Sequence, residues 1–271
     1  MREPVFVIMA KQPAVGRTKT RLCPPLMPEE AAALYEALLR DTVELVAGLE
    51  GTRPAIAVTP PEATDEFRCL SPPDVILLPV AGRDIGECLN QVLGRLLDAG
   101  YPKAIAINSD GPTLPADYLR QAIIQLEQAD VVLGPSADGG YYLIGLKQPQ
   151  PELFRDIAWS TDQVTPQTLA RAEAMGLQVA VLPPWYDVDT GADLEHLWTE
   201  LADLPPEMLP HTRRFLEGLV GEQEYPSVTL YQALRHCRWL AKQTTAAAGR
   251  AARTPRSGRE WFRADRPDRG K

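Results

Sequence analysis

The sequence lacks the features that mark the most easily recognised classes of protein. Its four cysteines are scattered among 271 residues with no CxxC pair, which argues against a zinc site and against a disulfide scaffold. No apolar run approaches the roughly 20 residues that a membrane-spanning helix needs. The short apolar stretch at 5–10 is followed by Lys11 and predicts a first strand rather than a signal peptide. A cytoplasmic protein without a membrane span is therefore expected.

Several motifs that would identify an enzyme class are also missing. The sequence has no Walker A loop, no GxSxG, no HExxH and no GxGxxG after its first apolar run. Its three histidines all fall after residue 195, so none is a good candidate for a general base. Whatever chemistry the chain performs must use other groups.

Negative charge dominates the chain except at its C-terminal end. The net charge is −8, but residues 242–271 carry nine Lys or Arg and three Asp or Glu, which leaves −14 on the remainder. An acidic body does not indicate a nucleic-acid partner. The composition predicts a domain at 1–204, a helical C-terminal appendage at 205–245 and a basic, disordered tail at 246–271. The oligomeric state is left open.

Apolar runs and amphipathic stretches alternate along the first 202 residues. Continuous apolar runs are typical of strands buried on both faces, and leucines at helical spacing indicate helices between them. The predicted strands are 5–10, 55–59, 75–79, 104–108, 131–134, 141–146 and 178–182, and the predicted helices are 28–49, 85–97, 115–128, 165–175 and 190–202. This order predicts a three-layer α/β/α fold with a mostly parallel sheet. One strand, 141–146, follows a tight turn and is expected to run antiparallel.

A basic loop follows the first predicted strand. It contains four cations within eleven residues, namely Lys11, Arg17, Lys19 and Arg21. Because ligands bind beyond the carboxyl ends of strands in such sheets, the loop is placed to hold phosphate through charge-assisted hydrogen bonds. The residues predicted to bind the nucleotide and its phosphates are Lys11, Gly16, Lys19, Thr20, Arg21 and Ser109. A solvated basic loop is the alternative.

Two aspartates follow later strands and are the predicted metal ligands. Asp110 comes directly after the strand 104–108, and Asp187 lies just past the strand 178–182. Carboxylate oxygens at this edge suit Mg²⁺ or Mn²⁺, which would neutralise a bound diphosphate. Asp110 is also a predicted catalytic residue. The structural alternatives are a turn-forming Asp before glycine and, at 189–193, a capping box in which Asp189 or Thr190 caps the next helix.

A third candidate is the segment that begins with Asp138. Gly139 and Gly140 suit a hairpin turn, which is the structural interpretation. The functional interpretation makes Asp138 a catalytic residue and places Gly139, Gly140 and Tyr141 against a sugar or acceptor.

Together these segments resemble a known family. The motifs are K-x-P-x-x-G-x-x-K-T-R-L at 11–22, S-D-x-P at 109–112, D-G-G-Y-Y-L at 138–143, W-S-T at 159–161 and D-V-D-T-x-x-D-L at 187–194. In this order they look like DUF2064, a group of glycosyltransferase-like proteins with the GT-A fold, some linked to arsenosugar biosynthesis. The resemblance implies a nucleotide-diphospho-sugar transferase fold with a nucleotide and Mg²⁺ or Mn²⁺ near Asp110. The chain departs from the family at Cys88, where many relatives carry an arginine.

Three functions remain open at this point. The favoured one is a glycosyltransferase that acts from a nucleoside-diphosphate sugar on a small-molecule acceptor. The first and last motifs are also similar to small nucleotidyltransferases such as phospholactate guanylyltransferase, which implies attack on an NTP with release of pyrophosphate. The third possibility is a nucleotide-binding module without activity. All three share one spatial expectation, that Lys19, Arg21 and Asp110 lie on the same rim of the sheet.

Overall fold

The computed structural model describes residues 2–220 and residue 230. Its strands are β1 (Val5–Lys11), β2 (Arg53–Thr59), β3 (Ile76–Pro79), β4 (Ala104–Ile107), β5 (Val131–Pro135), β6 (Tyr141–Leu146) and β7 (Val179–Val181). Its helices are α1 (Pro28–Ala47), α2 (Thr64–Leu70), α3 (Ile85–Asp98), α4 (Ala116–Gln125), α5 (Val164–Ala174), α6 (Gly191–Asp203) and α7 (Pro210–Val220). Among the helices of residues 2–220, none combines the length and the hydropathy that a membrane span requires.

The seven strands form one sheet in the order β3-β2-β1-β4-β6-β5-β7. Strand β6 runs antiparallel to β4 and to β5, and the other neighbouring pairs are parallel. The prediction of a mostly parallel sheet with one antiparallel strand is confirmed. Helix α2 was not predicted, because it is only seven residues long and buries a single side chain, Phe67.

Alternation along the buried strands sends their side chains to two separate cores. Phe6 and Ile8 of β1 pack beneath α1, α2 and α4, whereas Val5 and Val7 pack beneath α3 and α5. Two apolar faces explain why these strands read as continuous apolar runs. The result is the three-layer α/β/α arrangement that the sequence predicted.

A third apolar cluster joins the C-terminal helices to α1. Leu34 and Leu38 of α1 meet Leu197 of α6 and Leu216 of α7. Asp41 of α1 reinforces this contact, since its carboxylate accepts hydrogen bonds from the first backbone amides of α7. The helical C-terminal region is thereby observed up to residue 220. The predicted tail at 246–271 lies outside the described residues.

Candidate functional site

The candidate residues converge at one edge of the sheet. Lys11 is the last residue of β1, Asp110 follows β4, Asp138 lies in the turn after β5, and Asp187 follows β7. These four strands run in the same direction, so their carboxyl ends meet at one rim, where open α/β sheets bind ligands. The structure thus brings together the segments that the sequence singled out.

The basic loop after β1 is held in shape by its own polar groups. The hydroxyl of Thr18 donates to the carbonyl of Gln12 at 3.0 Å and accepts from the amide of Ala14 at 3.1 Å. Gly16 has a φ of 71°, a value that glycine adopts without strain. Lys19 also has a positive φ, 52°, which costs a residue with a side chain of order 1 kcal/mol or more. Such a conformation persists only where surrounding contacts fix it.

Two carboxylates fix the side chain of Lys19. Its Nζ lies 2.6 Å from Oδ2 of Asp110 and 2.5 Å from Oδ1 of Asp189, and only 6% of the side chain is exposed. Burial alone would lower the pKa of Lys19, but the charges of Asp110 and Asp189 outweigh it and raise that pKa above its usual value. Lys19 is therefore a permanent cation that neutralises acidic groups at the rim. It contacts Asp110 directly rather than facing it across a gap.

Tyr35 of α1 supports the floor of the site and was not foreseen. Its hydroxyl accepts a hydrogen bond from the Lys11 amide at 3.0 Å and lies 2.8 Å from Oγ of Ser109. Burial, helped by the nearby charge of Asp110, raises the pKa of Tyr35 to about 12, so the phenol stays protonated. Ser109 is itself buried and bonded to this phenol. It ties β4 to α1 and β1 while lining the site.

Asp187 is a buried carboxylate in an acidic neighbourhood. It accepts a hydrogen bond from Nδ2 of Asn108 at 2.5 Å, and Oγ of Ser136 lies 3.3 Å from its Oδ2. Burial is the largest cause and the negative charge of Asp110 the second of a rise in its pKa to about 8. The two neutral polar groups and the more distant Lys19 thus stabilise the ionised form less than burial and the neighbouring carboxylates disfavour it. A cation at this place would be favoured electrostatically.

The segment after Asp187 caps a helix and also reaches into the site. Thr190 is the N-cap of α6 and forms the expected capping box with Asp193. The alternative in which Asp189 is the cap is wrong, because its carboxylate turns away from the helix to meet Lys19. The amide of Val188 donates to the carbonyl of Asp110 at 2.9 Å, which fixes the two acidic segments side by side.

The turn after β5 is the hairpin that the paired glycines predicted. Oδ1 of Asp138 accepts from the amide of Gly140 at 2.9 Å, and the side chain is exposed. Gly139 has a φ of 90°, and a Cβ there would come within 2.4 Å of the backbone of Asp162. Tyr141 lines the site with its ring, whereas its hydroxyl is buried. Of this set, Asp138 is exposed and lines the site together with Gly140, whereas Gly139 is partly buried against Asp162.

The N-terminus of α3 forms the opposite wall. Asp84 caps the helix by accepting from the amide of Glu87 at 2.8 Å. A Cβ on Gly86 would lie 2.2 Å from the indole of Trp159, so the absence of a side chain lets that ring rest on the helix. Cys88, where the resemblance implied an arginine, is buried in the core between α3 and the sheet. It lines neither of the clefts described below.

These residues line two adjoining clefts. The basic cleft is named after its Lys and Arg side chains, and the indole cleft is named after Trp159. The basic cleft has a volume of about 340 Å³ and is lined by Met9, Lys11, Arg17, Thr18, Lys19, Thr20, Arg21, Tyr35, Ile85, Asn108, Ser109, Asp110 and Asp189. The indole cleft has a volume of about 460 Å³ and is lined by Arg21, Ile85, Asp138, Gly140, Tyr141, Trp159, Ser160, Thr161, Asp162, Val164 and Asp189. A smaller space of about 220 Å³ between them reaches Asp187 and Ser136.

Sequence reasoning missed several residues of the site. Asn108, Ser136 and Asp189 each lie within three residues of a residue that was singled out, so a wider window around each strand end would have included them. Tyr35 gave no such signal, because a tyrosine on the apolar side of a helix is ordinarily a core residue.

A separate acidic group lies outside the clefts. Asp41, Glu44 and His211 are the three residues, within the part of the chain that the structure describes, whose ligand atoms approach within 4.8 Å of one another. The oxygens of Asp41 already accept bonds from His211 and Thr212 at the start of α7. Nε2 of His211 lies 2.8 Å from Oε1 of Glu44. These contacts hold α7 on α1, and a metal is not needed to explain them.

Solved structures of other proteins share this fold. A protein from Desulfovibrio desulfuricans G20, provisionally assigned as a nucleotide-diphospho-sugar transferase, is 27% identical, with a TM-score of 0.71 over 90% of this chain and 98% of that one. A cytidylyltransferase from Leptospira borgpetersenii serovar Hardjo-bovis is 12% identical, with a TM-score of 0.51 over 83% of this chain and all of that one. The predicted nucleotide-diphospho-sugar transferase fold is confirmed.

Sequence comparison addresses the family. A search of proteins with curated functions gave no match. Residues 42–161 match the model of the family described as an uncharacterized protein conserved in bacteria, DUF2064. This segment runs from the second half of α1 through β4, Asp110 and the hairpin to the W-S-T motif. The resemblance to DUF2064 is thereby confirmed over a segment that holds three of the five motifs, whereas the motifs at 11–22 and 187–194 lie outside the match.

Proposed function

We propose that this protein is a metal-dependent transferase that uses a nucleotide-activated donor, and that it transfers a glycosyl group from a nucleoside-diphosphate sugar to a small acceptor. The observation that carries the proposal is the Lys19 contact with Asp110 and Asp189, in a cleft that also holds Lys11, Arg17 and Arg21. Cations and carboxylates at one edge of the sheet suit a diphosphate bound together with a metal ion.

The basic cleft supplies the charge that a diphosphate requires. Lys19 is occupied by its two carboxylates, whereas Arg21 is 70% exposed and lies 3.7 Å from its nearest carboxylate oxygen. Arg21 therefore has guanidinium N–H groups to offer to phosphate, and Lys11 and Arg17 line the same cleft. Gly16, with its positive φ and open surroundings, leaves room for a phosphate near the backbone. These cations would bind and orient the donor.

The acidic residues fit a divalent ion by the chemistry of their donor atoms. Asp110 and Asp187 present carboxylate oxygens, the ligands that Mg²⁺ and Mn²⁺ prefer. Burial first and the negative charge of Asp110 second raise the pKa of Asp187, so a bound cation would stabilise its ionised form. Asp110 and Asp187 are the proposed ligands. A bound ion would act as a Lewis acid that stabilises the leaving nucleoside diphosphate. Asp138, at the junction of the clefts, is the residue proposed to orient the sugar or acceptor.

Nucleotidyl transfer is the second candidate, because four cations around one loop also suit a triphosphate. The two reactions release different products. Incubation with Mg²⁺ or Mn²⁺ and a panel of nucleoside-diphosphate sugars would release nucleoside diphosphate in the first case. Incubation with nucleoside triphosphates would release pyrophosphate in the second. Binding of the same nucleotides is followed in parallel by thermal unfolding. If neither a sugar nucleotide nor a triphosphate raises the midpoint temperature of unfolding, the transferase proposal fails and a different ligand must be sought.

Asp110 gives the sharpest test of the metal. Asp110→Asn should abolish metal-dependent stabilisation by nucleotide, which for wild type amounts to about 2.7 kcal/mol at a ligand concentration a hundredfold above Kd. The fold should persist because Lys19 keeps its contact with Asp189. Asp98→Asn, at the far end of α3, is the matched control and should leave the stabilisation unchanged. Equal metal dependence in Asp110→Asn and wild type would rule out Asp110 as a ligand.

A further inference from the structure

The indole cleft opens beside the basic cleft and shares three of its residues, Arg21, Ile85 and Asp189. Its volume of about 460 Å³ lies within the range of small-molecule sites, roughly 300–1,000 Å³. A donor held in the basic cleft would thus have a second molecule within reach. The charges and surfaces of the indole cleft restrict what that molecule can be.

Charge separates the two clefts. The basic cleft has four cationic side chains and two carboxylates in its lining, whereas the indole cleft has Asp138, Asp162 and Asp189 against a single cation, Arg21. That cation already lies 3.7 Å from Asp189. A phosphate or carboxylate entering the indole cleft would meet an excess of like charge, which disfavours an anionic ligand.

The remaining surface suits a polyhydroxylated molecule. Trp159 is a partly exposed ring held in place by Gly86 beneath it and by an edge contact with Tyr141, with ring centroids 6.3 Å apart. A rigid indole offers an apolar face for the C–H side of a sugar ring. The exposed carboxylates of Asp138 and Asp162 accept hydrogen bonds from hydroxyl groups.

We propose that the indole cleft binds the acceptor, and that this acceptor is a polyhydroxylated molecule without a phosphate or carboxylate group. The inference rests on the proposed function, because it takes the basic cleft as the donor site. It narrows the class of acceptor, because a free sugar would be accepted and a sugar phosphate would be excluded. Asp138 and Asp162 are the residues that impose the selection, and Trp159 supplies the contact with the ring.

Matched pairs of sugars test the proposal by ligand-detected NMR titration. Glucose, galactose and mannose are each compared with their 6-phosphates in low-salt buffer that contains saturating UDP, which occupies the basic cleft and keeps the sugar phosphates out of it. At least one neutral sugar should bind at least tenfold more tightly than its phosphate. Trp159→Ala should weaken that sugar about tenfold, whereas the double variant Asp138→Asn/Asp162→Asn should reduce discrimination against the phosphate to threefold or less. Asp98→Asn should change neither value. A phosphate that binds as tightly as its neutral partner, or a panel in which no neutral sugar binds, overturns the inference.

Nucleotide binding, measured in parallel with UDP and UTP, separates this inference from the proposed function. Trp159→Ala should leave the affinity for either nucleotide within twofold of wild type, because Trp159 does not line the basic cleft. Nucleotide binding combined with a preference for sugar phosphates would overturn the acceptor inference alone. A wild-type protein that binds no nucleotide at all would instead count against the donor site itself.

Discussion

Removal of the Lys19 ammonium tests the electrostatic account of the site most directly. Lys19→Met keeps most of the apolar length of the side chain but leaves Asp110 and Asp189 without the cation that they share. Breaking a buried ion pair by removing one partner typically costs about 3–5 kcal/mol. Because Asp110 is 23% exposed and Asp189 is 37% exposed, water can solvate them in part. We therefore expect a loss of about 2–3 kcal/mol in the free energy of unfolding.

Urea denaturation of Lys19→Met, with a thermal melt beside it, measures the loss. At roughly 2–4 °C per kcal/mol for a domain of this size, the midpoint should fall by about 4–12 °C. Arg21→Met is the matched control, since Arg21 approaches the same Asp189 from the solvent at 3.7 Å and is 70% exposed. Exposed pairs contribute about 0–1 kcal/mol, so this control should stay close to wild type.

A double variant shows whether the cost comes from stranded negative charge. Lys19→Met/Asp110→Asn removes the ammonium together with one of its two carboxylates, and should recover part of the stability lost by Lys19→Met alone. If Lys19→Met is no less stable than Arg21→Met, or if the double variant is less stable than the sum of its single changes, the ion network does not organise the rim and the reasoning fails.

Three further predictions follow from other contacts. Asp41→Asn should cost about 1–3 kcal/mol, because the carboxylate caps α7. Since burial raises the pKa of Asp41 in the folded state, its contribution is complete below its unfolded pKa of about 4 and declines as the pH rises through its folded pKa. The deficit of Asp41→Asn in urea should thus be larger at pH 4 than at pH 8, and the opposite slope would contradict the assignment. Gly139→Ala should destabilise by more than the roughly 1 kcal/mol expected for Gly51→Ala, because both glycines have positive φ but only at Gly139 does a Cβ collide with backbone; equal losses would show that the hairpin turn is not packed as described. Lys19→Met should bind Mn²⁺ more tightly than wild type in the absence of nucleotide, as followed by electron paramagnetic resonance, because the ammonium competes for Asp110; unchanged affinity would place the ion elsewhere.

In open α/β sheets ligands bind beyond the carboxyl ends of the strands, and this explains why part of the candidate site could be predicted from the sequence. Asp110 and Asp187 could be found because each follows a strand that reads as apolar, and parallel strands deliver their ends to one edge. The fold was predictable for the same reason, since strands buried on both faces leave a continuous apolar signature. The antiparallel β6 was predictable from its Gly-Gly turn.

Contacts between segments that are distant in the chain could not be predicted from the sequence. Asp189 adjoins the helix cap at Thr190, and a short polar residue beside a cap can equally serve the helix or turn into the site. Only the position of the basic loop, 170 residues away in the chain, decides that it meets Lys19. Tyr35 reads as a core residue at helical spacing, and its bond to Ser109 depends on how α1 lies across the sheet.

The backbone of Lys19 links the strain in the basic loop to the charge at the rim. A lysine with positive φ is costly by itself, and a buried ammonium is costly by itself. The same two ion pairs offset both costs, because the left-handed turn places the ammonium between Asp110 and Asp189. The same carboxylates would repel one another without it. The pKa of Asp187 stays raised, chiefly by burial and next by the charge of Asp110, because the more distant ammonium offsets these effects only in part. The rim is thus organised by one internal cation and keeps one acidic position less compensated, which is where an external cation would gain most.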